Sequence, residues 1–585
     1  MITKAQNLFL KTGTGIVYGL FGMISLYLFL LSIFTTCFMV YTDEHVYYLK
    51  DFPVLMCIGL LGLCIILSFL LKKRQKRYIS LTQEEKDNRQ LHFLSRISII
   101  LTLALGILMV LFIVYMKLPP IYDQGMIYYS AGQLIRGDYS QWKMGQYFSM
   151  LPYQNGMVLM MCPFVWLFGD YAAIALQLFN VPMLFLTYAG ISKIAGHVFG
   201  RKNMYLTYIG LLLVVPMWTI VTFVYGMIPA ICLAVWAICF EIKYEETGKW
   251  RYVVLSGLLL FFSIMWKSNS QIFAIVLCSM LLVHAVREKT WKSLAGVAFI
   301  IFCTFLQIKG TPMVMHWITG ENTTNGIPMI AWLAMGLQES SIAPGWYNEF
   351  PMNLYRNVSS NPEVITREVM QSFRDSFALF SREKAYAFHF FARKLASMWA
   401  DPAFQFFTTV NTRNLYGEFS YAMKDFFYNG GIMNTIMYLL MDVLQSIQYF
   451  GLILFFILKR KDLRLENAHL VVAFLGGFLF HFIGEAKSHY VLSYYIMMMP
   501  YVVEGYRMMA HRLADVRWKD RTEYKRLWNT TSVKLGLGLG VVILAIAIMK
   551  GPIVENTLKL GTDTSDYIWY CQNETQWKSD EYFKV

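Results

Sequence analysis

Charge is scarce in this 585-residue chain: 15% of positions are charged, against 57% hydrophobic ones. Runs of about 18 or more apolar residues therefore pass uninterrupted, the length that crosses hydrocarbon as helix. A disulfide framework is lacking as well. Eight of the nine cysteines lie in apolar stretches as small hydrophobes, and only Cys571 sits in a polar segment. No Cys/His cluster and no H-E-x-x-H helix is present, which argues against a built-in zinc site. Low-complexity segments and repeats of about 20–50 residues are missing too, which disfavours a solenoid or a clear two-half transporter.

What remains is an all-α, polytopic transmembrane helical bundle. The net charge of +14 falls mostly in short loops between apolar runs, as the positive-inside rule requires, and so gives no reason to invoke nucleic acid. The N-terminus, with Lys4 and Lys11 ahead of an apolar run and no small-residue cleavage site, reads as a retained span. Segments 16–41 and 52–71 are expected to be the first two spans. They precede a basic cytoplasmic loop with Lys72, Lys73, Arg74, Lys76 and Arg77. A third span, 97–116, then leads outward. Basic loops at 197–203, 241–251, 287–292, 459–461 and 507–534 are placed inside. Spans follow at 171–195, 204–222, 223–240, 252–266, 270–286, 432–458, 467–484, 489–506 and 535–549, and residues 157–168 form an outer-leaflet or re-entrant helix too short to cross. With one further crossing between the inner loop at 287–292 and the outer segment from 310, the expectation is about thirteen crossings, N-terminus in and C-terminus out.

This divides the chain into an N-terminal pair of spans with its basic loop (1–96) and a transmembrane core (97–309) whose first outer loop is 117–156. An outer-face segment (310–431), C-terminal spans (432–549) and an outer tail (550–585) follow. The outer-face segment includes an amphipathic helix at 382–399, and its aromatic and Met-rich helices are expected to cover a lipid-facing cavity.

Three polar places then fall at the outer face. Asp123 follows a span directly and is succeeded by Tyr128, Tyr129, Trp142, Tyr147 and Tyr153, aromatics that suit a sugar face. An acid there is either simply solvated or a base beside the bilayer. Lys267, in Trp266-Lys267-Ser268-Asn269, interrupts an apolar run from 252 to 286; it is either a snorkelling lysine in a hairpin turn or a cation for a phosphate. Glu485, Lys487, His489 and Tyr490 bring acceptor, cation, imidazole and phenol into six positions, a set suited to a phosphorylated headgroup, although Glu485 with Lys487 is equally a plain rim ion pair. Four Asn-x-Ser/Thr sequons begin at Asn322, Asn357, Asn529 and Asn573.

The order and sidedness of several elements resemble the GT-C superfamily of membrane glycosyltransferases, in particular bacterial relatives of protein O-mannosyltransferases and of the lipid A aminoarabinose transferase. The elements are Tyr122-Asp123-Gln124, Leu151-Pro152-Tyr153-Gln154-Asn155-Gly156, Leu167-Phe168-Gly169, Phe199-Gly200-Arg201-Lys202, Trp266-Lys267-Ser268-Asn269 and Gly484-Glu485-Ala486-Lys487-Ser488-His489-Tyr490. The likeness spans roughly residues 95–505. It departs from the pattern where Gln124 stands in place of a second acid and in the two spans before residue 97.

What the resemblance implies is a GT-C-like core and a multi-pass plasma-membrane enzyme. Such an enzyme moves a sugar from a polyprenyl-phosphate-linked donor, in contact with membrane lipid, to a cell-envelope acceptor on the outer face, by inverting transfer. Asp123 is then the base. Lys267, Lys487 and His489 hold the leaving phosphate, Asn269, Glu485 and Tyr490 complete the donor site, and Trp346 and Tyr347 stack on sugar or prenyl chain. No cofactor follows, and a divalent metal is left open. The competing readings are a polyprenyl-linked polysaccharide polymerase or ligase, and a secondary transporter in which Asp123 or Glu485 carries a proton, with Asp170 and Asp442 the acids nearest mid-membrane.

Overall fold

The computed structural model describes residues 4–40, 45–77, 82–322, 326–413, 419–459, 462–516, 530–548, 558 and 560–573. Residues 517–529 of the 507–534 loop, with the Asn529 that opens a sequon, residues 549–557 and the end of the tail lie outside them. Among the described residues, nine helices or helical stretches are long and apolar enough to cross a membrane, and Arg251–Trp266 and His469–Ile483 are shorter apolar helices. Their surfaces match that role. Leu103, Ile107 and Leu111 on the Gln83–Met116 helix, and Leu61, Ile65 and Phe69 on Pro53–Arg77, recur at helical spacing and are each more than half exposed.

The first helix differs from its expected span. It runs Lys4–Phe34, and Thr35–Met39 leaves it as a strand paired antiparallel with Val46–Lys50, Cys37 opposite Tyr48. Thr-Thr-Cys-Phe-Met is β-branched and aromatic and favours that pairing over a last helical turn. Phe21 meets Phe456, Phe474 and Tyr501 edge-on at 5.3, 5.3 and 5.4 Å, so this first helix is built into the C-terminal bundle.

Other boundaries move for identifiable reasons. The third helix begins at Gln83, ahead of its apolar run, because Thr82 and Glu85 form a capping box. Residues 204–222 are not one helix but Arg201–Leu212 and Met217–Ile220, with Pro216 at the break. Asn155–Phe168 has 14 residues, about 21 Å of helix, which falls short of the hydrocarbon. The Trp291–Thr319 helix passes the expected edge at 309 and stops only at Gly320, whose φ is 73°. Inside 310–431, the expected helix at 382–399 is observed as Lys384–Trp399, preceded by Pro362–Arg382.

The two ends of the bundle differ in chemistry. At one, Lys202 pairs with Asp87 at 2.6 Å, and Lys459 and Arg507 flank buried Glu504 at 3.2 and 2.8 Å. At the other lie the β-hairpin, Asp123, residues 326–413, the turn at 484–488 and the Leu560–Asn573 helix, whose Asp563 accepts from Tyr48 N and Arg393. The broken helix links them: Asn203 bonds Glu504 at the basic end, and Val224 bonds Gln124 at the other.

Candidate functional site

Asp123 lies not on an irregular loop but in the first turn of the Tyr122–Ile135 helix, where the backbone dipole favours an anion. Ile127, Ala131 and Leu134 share one buried face and hold this helix down. Tyr122 itself is exposed with φ 50°, a conformation costly for a tyrosine that turns the chain so that Asp123 meets its partners. The Tyr147 hydroxyl donates to Asp123 Oδ1 at 2.6 Å and the Tyr225 hydroxyl to Oδ2 at 3.1 Å. Tyr225 in turn accepts from Gln154 Nε2 at 2.5 Å. Burial, then the Asp123 charge, raises the Tyr147 pKa, so this phenol keeps its proton and donates it. The neighbouring Gln124 is buried and accepts from Val224 N at 2.9 Å, a structural task for the residue that stands where a second acid was sought.

Asp123 opens onto a cleft whose wall also includes Lys487, His489, Tyr490, Gln405 and Arg413. A second, small cavity is lined by Lys267, Asn269 and His481, and Tyr490 borders both. Lys267 Nζ stands 3.4 Å from the centre of the Tyr225 ring and 5.6 Å from that of Tyr490, a cation–π position between the two spaces. Surrounding protein pulls Lys267 down to about 7; Asp123 and Glu485 oppose the fall. Glu485 moves the other way, pushed up to about 7 by burial, with Lys487 as its main counterweight.

The turn carrying Glu485 is tied down by a buried lysine. Lys394 Nζ donates to the carbonyls of Gly336, Ile483 and Gly484 at 2.5, 3.0 and 2.7 Å, and Ala486 N donates to Gly345 O at 2.8 Å. The approach of the two segments requires glycine: a Cβ on Gly336 would stand 2.2 Å from the Gly484 carbonyl carbon. A second strained turn aims Gln405. Phe404 and Gln405 have φ of 44° and 63°, held by the Asp401 carboxylate accepting from Ala403 N at 3.0 Å and Gln405 N at 3.1 Å. Gln405 Oε1 then meets His489 Nδ1.

Asp123, Lys487, His489 and Tyr490 thus share one cleft, and Lys267 and Asn269 line the cavity beside it. Glu485 is felt electrostatically by Asp123's surroundings and by Lys267, Lys487 and Lys394. Tyr347 is partly exposed, lies over Trp332 at 6.5 Å, and feels both Asp123 and Glu485. Trp346 departs from its expected role: it is 2% exposed and donates to Ser397 Oγ at 2.8 Å, so it packs the core and presents no face for stacking.

Tyr225, Gln405, Lys394 and Arg413 join the site without having been singled out in the sequence. Arg413 carried a usable signal, a lone basic residue closing the uncharged stretch from Pro402. It is buried on the cleft wall and donates to Thr409 O and Thr222 O at 2.6 Å each. An apolar cavity lined by Pro216, Phe404, Met441, Tyr495, Met499 and Val502 among others lies on the other side of the Phe404–Gln405 turn, Phe404 facing it and Gln405 the cleft. No protein-family model matches the chain, and no curated protein matches it.

Proposed function

We propose that this chain is an integral membrane glycosyltransferase that moves a sugar from a polyprenyl-phosphate carrier to a cell-envelope acceptor, a glycan, lipid or protein, on the outer face of the plasma membrane. The observation that carries the reading is a carboxylate oriented by two phenols in the same cleft as Lys487, His489 and Arg413, with an apolar cavity next to it. Such a cleft offers a proton acceptor, phosphate-binding cations and room for a hydrocarbon chain within a few side chains of each other.

In this reading Asp123 accepts the proton of the acceptor hydroxyl. The hydroxyl oxygen forms its bond to the anomeric carbon with inversion, and the bond from that carbon to the phosphate oxygen breaks. The departing polyprenyl phosphate keeps the electron pair, and Lys487 and Lys267, with His489 and Arg413, stabilise the charge as it develops. Tyr147 and Tyr225 stay protonated and fix the direction of the carboxylate. Asn269, Glu485 and Tyr490 line the donor's headgroup, and Tyr347 offers the stacking face. Thirteen crossings with the N-terminus inside and the C-terminus outside belong to the same proposal. Support comes from the basic loops gathering at the end opposite the cleft.

The test uses membranes containing the full chain and its Asp123→Asn variant, with labelled sugar on polyprenyl phosphate. Transfer should fall at least about 100-fold, the usual contribution of a positioned base, at unchanged protein level. Undiminished transfer by Asp123→Asn would overturn the mechanism.

A further inference from the structure

We infer that Glu241, Glu245 and His469 form a binding site for one divalent transition-metal ion of the zinc class, at the end of the bundle remote from the cleft. The site rests on geometry. Glu241 and Glu245 are four residues apart on the Met227–Thr247 helix and so share a face. His469 opens the His469–Ile483 helix opposite them. One ligand atom from each residue lies within 4.8 Å of the others. A tetrahedral ion with bonds of about 2.0–2.2 Å to imidazole and carboxylate needs its ligands roughly 3.5 Å apart, which small side-chain shifts would reach.

A second observation points to a ligand. Glu241 and His469 are each 1% exposed. His469 Nε2 meets Glu241 Oε2 at 2.7 Å, but Glu241 Oε1 has no hydrogen-bond donor. The group it faces is the Glu245 carboxyl, which pairs with it only when one of the two holds a proton. His469 Nδ1 is likewise unpaired, so the ring is held from the Glu241 side only. Two carboxyl groups meeting at a buried point with an acceptor orphaned between them are satisfied either by a proton shared between them or by a cation, and the imidazole beside them completes a ligand set for the cation. The arginine that Glu245 feels, Arg287, is engaged with Glu288 at 2.9 Å and near Glu466 at 3.9 Å. A divalent ion would neutralise both carboxylates, leave the imidazole neutral and give Oε1 a partner. One nitrogen with two oxygens suits zinc and its neighbours better than magnesium or calcium, which take oxygen sets.

The ligands join helices whose other ends build the second cavity. Met227 and Ile231 stand at the start of one helix, and His481 near the end of the other. The separations along the helices are about 15–20 Å. The ion is therefore a brace for the cavity walls and takes no part in transfer. The absence of H-E-x-x-H or clustered cysteines does not bear on it, because its third ligand comes from a distant helix.

The experiment takes full-length protein purified in detergent, measures its metal content, strips it with a chelator and titrates it with Co²⁺ and Zn²⁺. About one equivalent should bind, Co²⁺ should develop the visible absorption of a tetrahedral site, and Zn²⁺ should raise the unfolding temperature by several degrees. His469→Ala should abolish the Co²⁺ spectrum. Glu245→Gln, at a partly exposed position that puts the fold at less risk, should weaken Co²⁺ binding at least tenfold. Stripped wild-type protein with neither spectrum nor thermal shift would overturn the site in favour of a shared proton. Binding unchanged in a folded Glu245→Gln or His469→Ala protein would overturn the assignment of ligands. None of these readouts depends on sugar transfer.

Discussion

At the scale of single residues, Tyr225 has three tasks: it donates to Asp123, accepts from Gln154 and offers its ring to Lys267. Tyr225→Phe removes the first two and keeps the third. Transfer should therefore fall at least about tenfold through kcat with KM little changed, since one hydrogen bond to the reacting carboxylate, worth about 1.5–3 kcal/mol, is lost; a change confined to KM would speak against the role. The three shifted groups around it also shape stability. Glu485, pushed up from 4.5 to about 7, holds its proton more tightly in the folded chain, so its contribution declines as pH rises from about 4.5 to 7. Lys267 and Lys394, pulled down from 10.5 to about 7, release protons early in the folded chain, so their contributions recover as pH rises from about 7 to 10.5. Together they place a shallow minimum of stability near neutrality. Thermal unfolding in detergent across this range should show it, with Glu485→Gln flattening the acid limb and Lys267→Met the alkaline one. A profile that Glu485→Gln leaves unchanged would contradict the argument.

Between elements, the cleft depends on one knot more than on any helix. Lys394, from the Lys384–Trp399 helix, bonds carbonyls on two other segments, and Gly336 leaves no room for a methyl group. Lys394→Met orphans three carbonyls, of which the buried ones on Gly336 and Gly484 cost about 1–3 kcal/mol each, and Gly336→Ala pushes a Cβ into backbone. Both variants should lower the unfolding temperature by several degrees and loosen the Glu485 turn, measured as faster amide exchange at 484–487. The apolar helices were legible in the sequence because length and composition suffice for them: 432–458 is observed as Ile432–Lys459, and 52–71 as Pro53–Arg77. Breaks were not, since Pro216 and the Thr35–Met39 strand interrupt runs whose hydropathy stays high. The knot was equally hidden. Nothing in the local sequence distinguishes Lys394 from a solvated lysine, because its partners lie 58 and 90 residues away. Asp123, Lys487 and His489 could be singled out because charge beside hydrocarbon is conspicuous, whereas Tyr225 and Gln405 are inconspicuous among their neighbours.

For the whole molecule, the decisive quantity is which end faces out. The hairpin, the cleft and the 560–573 helix share one end, and the pairs at Lys202, Lys459 and Arg507 share the other. The fold therefore ties all of these segments to a single choice: if one is outside, all at that end are. The orientation proposed above rests on the positive-inside rule, read from Lys and Arg in short loops, and has the cleft outside. Two exposed positions report it. Met144 is 80% exposed on the segment leading to Tyr147, and Lys249 is exposed in the turn after the Met227–Thr247 helix. In a background whose nine cysteines are replaced by serine or alanine, Met144→Cys should react with a membrane-impermeant maleimide in intact cells. Lys249→Cys should react only after permeabilisation. The opposite pattern would turn the whole bundle over, bring Asp123 to the cytoplasmic side and remove the acceptor class proposed for it. Because the cleft and the basic loops are fixed at opposite ends of one packed unit, no mixed outcome is compatible with the fold.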